Sequence, residues 1–526
     1  MSCELFEKRL SRRQSLIRVS AARNRQLSTH NFPAGYNSPD DSPTTVANAW
    51  NQMERAMRFF RAATILTALA WQGERLQAQT TAAPFTANDV YSAESTELLD
   101  GTIDFKKPGD DNVKPHTFKG ERRIRYIERI LAAPTATDDI PERVLRVIEK
   151  LESTRTIGDS EQVGFPLRDP AKQVVLHRGE AFSKPFSLKG PLKQEEIHTL
   201  SHLVFVPALN GLLSKGPLTV GAKWAANRRA VAQLAGLVPM ESGDLTCEVI
   251  SLDYNYEGRR LIQIEFRGLL RGESEEGWAS DDVTGALYLD RTDGKIHSLT
   301  VDGLRTLYDR DKKTATGRLK MKFKLAVRLQ KPPVAADLSD DIAVEAAKDP
   351  TPEQTAVLYE FPPCAVKLVH PRPWLLDAVN RTTLTFMYGK EGHQLTINFH
   401  EDDKTPTAKE YQQEVEQNLR REKFQNIEWK AEPREQERGT RGAADYERAG
   451  VFQATAEKDG HWLMTYWVKQ VGKRGVTAAV FLHSQAARDG TLANDAKTIL
   501  KNLEFTGDRN PFFVKAAAEK GGGEKK

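Results

Sequence analysis

The sequence predicts an α+β protein, in which a curved, half-barrel-like antiparallel β-sheet domain precedes a second antiparallel α+β domain. Three observations favour this class: strand-like runs joined by tight-turn residues, short amphipathic helical stretches between them, and a Pro- and acid-rich segment separating two such regions. The chain has 526 residues, of which 39% are hydrophobic and 8% aromatic, and this length suits two or three domains.

Residues 80–330 are predicted to form the first domain, whose clearest part begins at Leu245. Two hairpins turn at Tyr256-Glu257-Gly258 and Thr292-Asp293-Gly294, because turn residues with glycine between strand-like runs are typical of β-hairpins. The run GRLKMKFKLAVRLQ then alternates apolar and basic residues, which predicts a strand with one buried face and one solvated basic face. A surface for anionic ligands is the alternative interpretation of that basic face.

Two helices are predicted to interrupt these strands. The first opens at Gly190-Pro191, since proline at the first helical position sacrifices no hydrogen bond. The second runs from about Lys223 to Ala235, and Gly236 is placed to end it. Helices packed on one face of a curved sheet form the expected architecture.

Residues 331–355 are predicted to be a linker that does not fuse the domains rigidly, because they hold prolines, acids and alanines without a strong apolar pattern. Residues 356–507 form the predicted second domain. Thr407 and Glu410 have the spacing of a capping box that opens a helix. Its buried stripe is predicted to hold Ala408, Tyr411, Val415 and Leu419, and that of a final helix Leu492, Ala496, Ile499, Leu500 and Leu503. Residues 508–526 are expected to be a disordered tail.

The segment 53–78 has the anatomy of a secretory signal peptide. Arg58 and Arg61 precede a short apolar stretch, and a small-residue cleavage site ends at Ala78. The 56 residues before Met57 suggest an over-extended reading frame with the true start at Met57 or Met53, and residues 1–52 are expected to be disordered. We therefore expect an exported, periplasmic or extracellular protein without a stable transmembrane anchor after cleavage. An uncleaved membrane tether and a buried helix are the alternatives.

Charge and cysteine content exclude some classes of protein. The formal net charge of +4 is too small for a dedicated nucleic-acid binder. Cys3, Cys247 and Cys364 do not make a disulfide framework, and one bridge between Cys247 and Cys364 stays open. No cofactor is predicted, because a P-loop, a dinucleotide fingerprint and a nucleophile elbow are all missing from the sequence.

His198 and His202 are weak candidates for metal ligands, since residues four apart on a helix reach one ion. The pair lacks the glutamate of HExxH and a cysteine pair that would complete a structural zinc site. Two histidines at the boundary of a buried helix face are the plainer interpretation, and we predict no metal site. The acids after His400 and those at Asp309 and Asp311 are likewise interpreted as solvated turns.

The second domain resembles the PsbP/Mog-type fold. The resemblance rests on the helix Thr407 to Phe424, the strand ending in VTAAVFLHSQ, and the closing helix Ala493 to Phe505 with its "ILKNLEF" ending. It covers about 150 residues and implies a binding or assembly module without catalytic residues.

Residues of the first domain resemble a family of uncharacterised exported bacterial proteins. The segments that carry the resemblance are Tyr126-Ile-Glu128-Arg129, LRDPAKQVVLHR, KPFSLKGPLKQEEI, PALNGLLSKGPLTVGAKW and GALYLDRTDGKI. By analogy of fold, it implies a LolA-like half-barrel whose concave face holds acyl chains.

The expected function is therefore that of an exported, non-catalytic binding or envelope-assembly protein, whose partner is an unknown hydrophobic ligand or an envelope protein. A metal-dependent hydrolase using His198 and His202 is one alternative. A protein-docking module acting through residues 356–507 is the other.

Overall fold

The described residues of this computed structural model form a mostly β protein, in which 54% lie in strands and 18% in helices. The predicted α+β class is therefore wrong, because most of the helices are short insertions beside large antiparallel sheets. The structure describes residues 82–104, 114–131, 141–179, 182–256, 258–309, 311–330, 335–389, 392–401, 404–430, 432–441, 443–483 and 490–506. The predicted signal segment 53–78 with its cleavage site at Ala78, residues 1–52 and the tail 508–526 lie outside them.

The largest sheet has 13 strands, all paired antiparallel. Its strands are β1 (Val90–Ile103), β2 (His116–Ile130), β3 (Arg143–Ile157), β4 (Ser160–Val163), β5 (Gln173–Arg178), β6 (Ser183–Phe186), β8 (Lys223–Ala225), β9 (Met240–Ser242), β10 (Thr246–Tyr256), β11 (Arg259–Ser274), β12 (Gly277–Asp290), β13 (Ile296–Tyr308) and β14 (Ala315–Leu329). The order is β6-β5-β3-β2-β1-β14-β13-β12-β11-β10-β8, with β4 beside β3 and β9 beside β11.

Two smaller sheets follow. A four-stranded sheet, in the order β25-β16-β15-β7, contains β7 (Leu192–Lys193), β15 (Val357–Phe361), β16 (Val366–His370) and β25 (Glu504–Phe505). An eight-stranded sheet contains β17 (Trp374–Asn380), β18 (Thr383–Tyr388), β19 (His393–His400), β20 (Gln425–Trp429), β21 (Arg434–Arg438), β22 (Glu447–Glu457), β23 (His461–Val471) and β24 (Arg474–His483).

The described helices are mostly one or two turns long. They are α1 (Asp169–Lys172), α2 (Gln194–Ser201), α3 (Arg228–Ala235), α4 (Asp340–Ala347), α5 (Pro352–Thr355), α6 (Ala408–Arg421) and α7 (Thr491–Lys501). Short 3₁₀ helices lie at Val206–Leu212, Ala336–Leu338 and Pro362–Cys364.

The predicted meander from Leu245 onward is confirmed. Strands β10 and β11 flank the turn at Gly258, and β12 and β13 flank the turn at Gly294. On β14 the apolar residues face the core while the lysines between them are exposed, as the alternation of the sequence predicts. The alternation of apolar and polar residues therefore predicted both the strands and which of their faces is buried.

The predicted helix boundaries in the first half are partly wrong. Pro191 does not start a helix, because Leu192–Lys193 pairs as β7 and α2 begins only at Gln194. Residues Lys223–Ala225 likewise form β8, so α3 begins at Arg228. The terminating role of Gly236 is confirmed, since it adopts a left-handed conformation with φ 62°.

One face of the large sheet, the inner face, packs against the helical segment 200–237. Leu200, Phe205 and Val231 of this segment share one core with inner-face residues such as Ile264 and Leu299. The first half is therefore a sheet whose inner face is largely filled by its own chain.

An ion pair across the large sheet shows that the inner face is concave. The guanidinium of Arg155 on β3 lies 2.9 Å from a carboxylate oxygen of Glu276, in the turn between β11 and β12. Five strand-to-strand steps separate β3 from β12, which amounts to about 24 Å in a flat sheet. Side chains of arginine and glutamate do not span that distance, so the sheet curls until they meet.

The segment expected to be a linker contains α4 and α5, and its first part packs on the outer face of the large sheet. Leu338 and Ala346 are buried with Leu145 and Val175 of β3 and β5. The Arg143 guanidinium donates to the Lys348 carbonyl at 2.7 Å. Strand β7 of the first half also pairs in parallel with β15 of the second.

In the second half, two helices cover opposite faces of the eight-stranded sheet. The predicted capping box is confirmed, with the Thr407 hydroxyl accepting from the backbone N–H of Glu410 and the Glu410 carboxylate accepting from that of Thr407. The stripes predicted for α6 and α7 are confirmed as buried, and they pack in two separate cores.

Candidate functional site

Burial on the inner face of the large sheet falls in the middle of β1 and β14, which leaves part of it open. At one end, Tyr91, Tyr126 and Val327 are at most 2% exposed, and at the other end Ile103, Phe118 and Leu319 are buried. Between them, three apolar side chains on the same face are only half-buried: Leu99, Met321 and Phe323. We call these three residues the open apolar patch.

The register of the strands brings the patch together. Leu99 on β1 lies opposite Met321 on β14, Phe323 comes next along that face, and Leu325 after it is fully buried. On the other side of β1, Gly120 of β2 lies opposite Leu99 and contributes no side chain. Because alternate residues of a strand share a face, Leu99, Met321 and Phe323 form one surface.

An ionic cluster lines the same part of the inner face. Arg122 donates to the Glu97 carboxylate with its Nε at 3.0 Å. Glu276 bridges two arginines, at 2.9 Å from Arg155 and 3.0 Å from Arg305. Each of these three arginines therefore has a carboxylate partner.

Arg305 is the centre of this cluster. Its Nε and a terminal nitrogen donate to both oxygens of Asp281, at 2.9 and 2.8 Å, and it also donates to the Ala235 carbonyl at 2.8 Å. Asp281 is fully buried. The arginine thus ties the C-terminus of α3 to the sheet and fixes how far the helical segment covers the inner face.

The charges shift the pKa values within the cluster. Burial alone would raise the pKa of Glu276, but the guanidiniums of Arg305 and Arg155 outweigh it and hold that pKa below its usual value. The Glu97 carboxylate raises the pKa of Arg122. Glu275 also lies in the cluster, with its carboxylate 3.7 Å from Arg155. Three guanidiniums against the carboxylates of Glu97, Glu275, Glu276 and Asp281 give 3 − 4 = −1, so the cluster offers no surplus cation to an anionic ligand.

A second buried group closes one end of the inner face. Glu128 accepts from the Tyr91 hydroxyl and from Arg146, whose guanidinium lies 3.9 Å from the Tyr126 ring centre. Arg146 also donates to the Val204 carbonyl at 3.0 Å. Burial is the main cause of the raised pKa of Tyr91, so its hydroxyl stays protonated. This group anchors the helical segment and holds its start against the sheet.

The predicted histidine pair lies apart from this site. His198 and His202 face each other on and just after α2 with ring centres 4.3 Å apart, and the His202 ring also packs on Phe182. The Nδ1 of His202 lies 2.6 Å from the His198 carbonyl oxygen. Among the described residues, no group of three His, Cys, Asp or Glu side chains is arranged to hold a metal ion.

The other sequence candidates that the structure describes have structural partners, and Asp402 and Asp403 after His400 lie outside the described residues. Glu401, after the strand that ends at His400, accepts from Arg474 at 3.0 Å. Asp309 and Asp311 accept from backbone N–H groups of their own turn. Cys247 and Cys364 are both buried and form no disulfide with each other, and burial raises the pKa of Cys247 to about 12.

Sequence reasoning did not find the ionic cluster. Its signal is a charged residue at an inward position of an alternating strand, as with Asp281 in GWASDDVTGALYLD and Arg305 in IHSLTVDGLRTLY. Taken alone, each of these two strands places a buried charge on the inner face without a partner. Only the register of β12 and β13 shows that Asp281 lies opposite Arg305.

Comparisons with known proteins show little beyond a sheet-rich fold. No family model and no curated protein matches the chain. A PsbP of Synechocystis sp. PCC 6803 (CyanoP) is 12% identical, with a TM-score of 0.22, over 28% of this chain and 92% of that chain. A mutant of the protein Mog1 is 11% identical, with a TM-score of 0.21, over 29% and 97%.

Lipovitellin is 11% identical, with a TM-score of 0.25. The match covers 48% of this chain and 26% of lipovitellin. The predicted PsbP/Mog resemblance therefore stands only as a weak structural likeness over a small part of the chain, and the LolA-like analogy finds no support. Within the described ranges, no helix is both long and apolar enough to span a membrane.

Proposed function

We propose that this is an exported, non-catalytic binding protein that holds a hydrophobic ligand on the open apolar patch. The observation that carries the proposal is the half-burial of three neighbouring apolar side chains between buried parts of the inner face. Export rests on the sequence of residues 53–78 alone.

The hydrophobic effect supplies the affinity. Covering apolar surface contributes roughly 25 cal/mol per Å², and fully burying a side chain such as leucine or phenylalanine contributes about 1.5–3 kcal/mol. Three half-buried side chains in one surface therefore offer a ligand about 2–4 kcal/mol before the entropic cost of binding.

The ionic cluster favours a ligand without an anionic group at this part of the face. Its guanidiniums already have carboxylate partners, and its net charge of −1 repels a further carboxylate. We therefore propose an uncharged aliphatic chain, such as the acyl or alkyl part of a lipid, as the portion bound on the patch.

Adjacent leucines on opposite faces of β1 provide a matched test. Leu99 belongs to the patch, whereas Leu98 points outward and is 36% exposed. Nile red, a neutral hydrophobic dye, should fluoresce with the wild-type protein and be displaced by a long-chain alkanol. We expect Leu99→Gln to weaken dye binding at least about tenfold and Leu98→Gln to leave it unchanged.

Circular dichroism and the urea midpoint would establish that both variants remain folded. Equal dye binding by the two variants, or no dye binding by the wild type, would contradict the proposal. Displacement by the alkanol separates the patch from nonspecific adsorption of the dye.

A further inference from the structure

The outer face of β14 carries a row of cations at the middle of the large sheet. Its five members are exposed, and we call them the basic row: Arg318, Lys320, Lys322, Lys324 and Arg328. Alternate residues of an extended strand lie about 6.8 Å apart, so the row runs for about 34 Å.

None of these five cations forms an ion pair with another residue that the structure describes. Elsewhere on the outer face, cations such as Arg125 and Lys150 lie against carboxylates, at 2.7 and 2.9 Å. In the register, Asp100 lies opposite Lys320 and Asp302 opposite Lys322, while Arg318, Lys324 and Arg328 have no carboxylate directly opposite on β1 or β13.

The basic row makes this part of the outer face positive. The outer faces of β2, β1, β14 and β13 hold seven exposed cations and four carboxylates, apart from Arg125 and Arg129, which pair with Glu149 and Asp340 outside these strands, so the sum is 7 − 4 = +3. The cations are the row with Lys119 and Arg123, and the carboxylates are Glu94, Asp100, Glu121 and Asp302.

Exposed leucines lie directly beside the lysines. In the register, Leu98 of β1 lies between Lys322 and Glu121, and Leu304 of β13 lies between Lys320 and Asp282. Leu98 is 36% exposed and Leu304 41% exposed. Exposed apolar side chains beside the lysines of a net positive face suit a surface that is both anionic and able to accept hydrocarbon.

We propose that this outer face docks on a lipid bilayer that contains anionic phospholipids. The basic row provides the charge complementarity, and Leu98 and Leu304 contact the boundary between headgroups and acyl chains. The row lies on the opposite face of the sheet from the open apolar patch, so the docking surface and the ligand site are separate features.

The bilayer is favoured over a nucleic acid or free polyphosphate by the two leucines. A phosphodiester chain would contact the cations and gain nothing from exposed leucine side chains, and neither Leu98 nor Leu304 has an aromatic neighbour in register on which a base would stack. Strands β2, β1, β14 and β13 are neighbours in the middle of the large sheet, so their outer faces together form a surface broad enough to contact a bilayer.

Vesicle co-sedimentation of the full chain tests the proposal. We expect binding to vesicles of phosphatidylglycerol and phosphatidylcholine, and at least tenfold weaker binding to phosphatidylcholine alone. Raising the salt from 50 to 500 mM should release the protein, because exposed charges are screened. Lys320, Lys322 and Lys324 changed together to Gln should reduce the partition coefficient at least about 20-fold, since each cation near such a surface contributes about fivefold.

The matched control changes Lys409, Lys497 and Lys501 to Gln. These lysines are exposed on α6 and α7 of the second half, so net charge falls equally while the basic row is intact. The control should bind as the wild type does. The proposal would be overturned if both triple variants lost vesicle binding equally, or if the variant of the basic row bound anionic vesicles as well as the wild type. Failure of the wild type to bind anionic vesicles would also overturn it.

Two further arms identify the surface that is bound. The tryptophan fluorescence of Leu98→Trp should shift to shorter wavelength when anionic vesicles are added. Polyphosphate or single-stranded DNA should cause no such shift. Tighter binding of either polymer than of vesicles through the same lysines would overturn the bilayer assignment. Leu99→Gln should bind vesicles as the wild type does, so failure of the ligand site and failure of the docking surface are distinguishable.

Discussion

Arg305 shows how a charged side chain on the inner face is made compatible with burial. Taking an ion from water costs several kcal/mol, and this cost is recovered only where a partner and hydrogen bonds meet it. Asp281 accepts two hydrogen bonds from Arg305, and Glu276 accepts a third. The cluster therefore specifies how the curled sheet closes while adding little net stability.

Removing Arg305 should destabilise the protein strongly. Arg305→Met leaves Asp281 buried without its partner, and we expect the free energy of unfolding to fall by about 3–5 kcal/mol in urea titrations. Arg305→Met combined with Asp281→Leu should recover part of that loss, since the uncompensated charge is gone.

Arg267, exposed on the outer face of the neighbouring sheet region, provides the control. Arg267→Met should change the free energy by no more than about 0.5 kcal/mol. A similar small effect for Arg305→Met would show that water reaches Asp281 and that the cluster is not closed.

At the scale of elements, the segment 335–355 packs on the outer face of the large sheet. Its apolar residues Leu338 and Ala346 are fully buried, although they stand among acids and alanines in sequence. The Arg129 guanidinium donates to the Leu338 carbonyl at 2.9 Å and so fixes the start of the segment. The sequence of this segment lacks a strong apolar pattern because only two or three of its side chains contact the sheet.

Leu338→Ala tests whether this packing holds the segment on the sheet. We expect it to lower the free energy of unfolding by about 2–4 kcal/mol, because a fully buried leucine is lost and a cavity remains. Val344 lies in the same segment but is 64% exposed, so Val344→Ala should have an effect of no more than about 0.5 kcal/mol. Equal effects of the two substitutions in urea titrations would show that the segment is not docked in solution.

At the scale of the whole molecule, the sequence predicted what depends on neighbouring residues and missed what depends on distant ones. The capping box at Thr407, the lysine alternation of β14 and the end of α3 at Gly236 are local, and all three predictions are confirmed. The helix expected at Pro191 fails because Leu192 pairs with a strand more than 160 positions away. The open patch depends on which parts of the inner face the helical segment covers, and no local pattern encodes that.

The same distant pairing joins the two halves, and it supports a prediction about their coupling. Leu192 is fully buried in the core of the first half, while its backbone lies in register with Val357 of the second. Leu192→Ala should loosen β7 within that core, lower the free energy of unfolding by about 2–5 kcal/mol, and expose the edge of β15 that β7 now covers. We expect amide hydrogen exchange at residues 357–361 to accelerate at least about tenfold, while exchange in β23 stays unchanged.

Val220, which is 64% exposed, supplies the comparison, because Val220→Ala removes apolar atoms of the same half without touching β7. It should leave exchange at residues 357–361 as in the wild type. Unchanged exchange there in Leu192→Ala would mean that the four-stranded sheet is held from the second half alone, through its contacts with α7 and β25. Acceleration confined to β15 and β16 would identify the short parallel pairing as the element through which the stability of one half reaches the other.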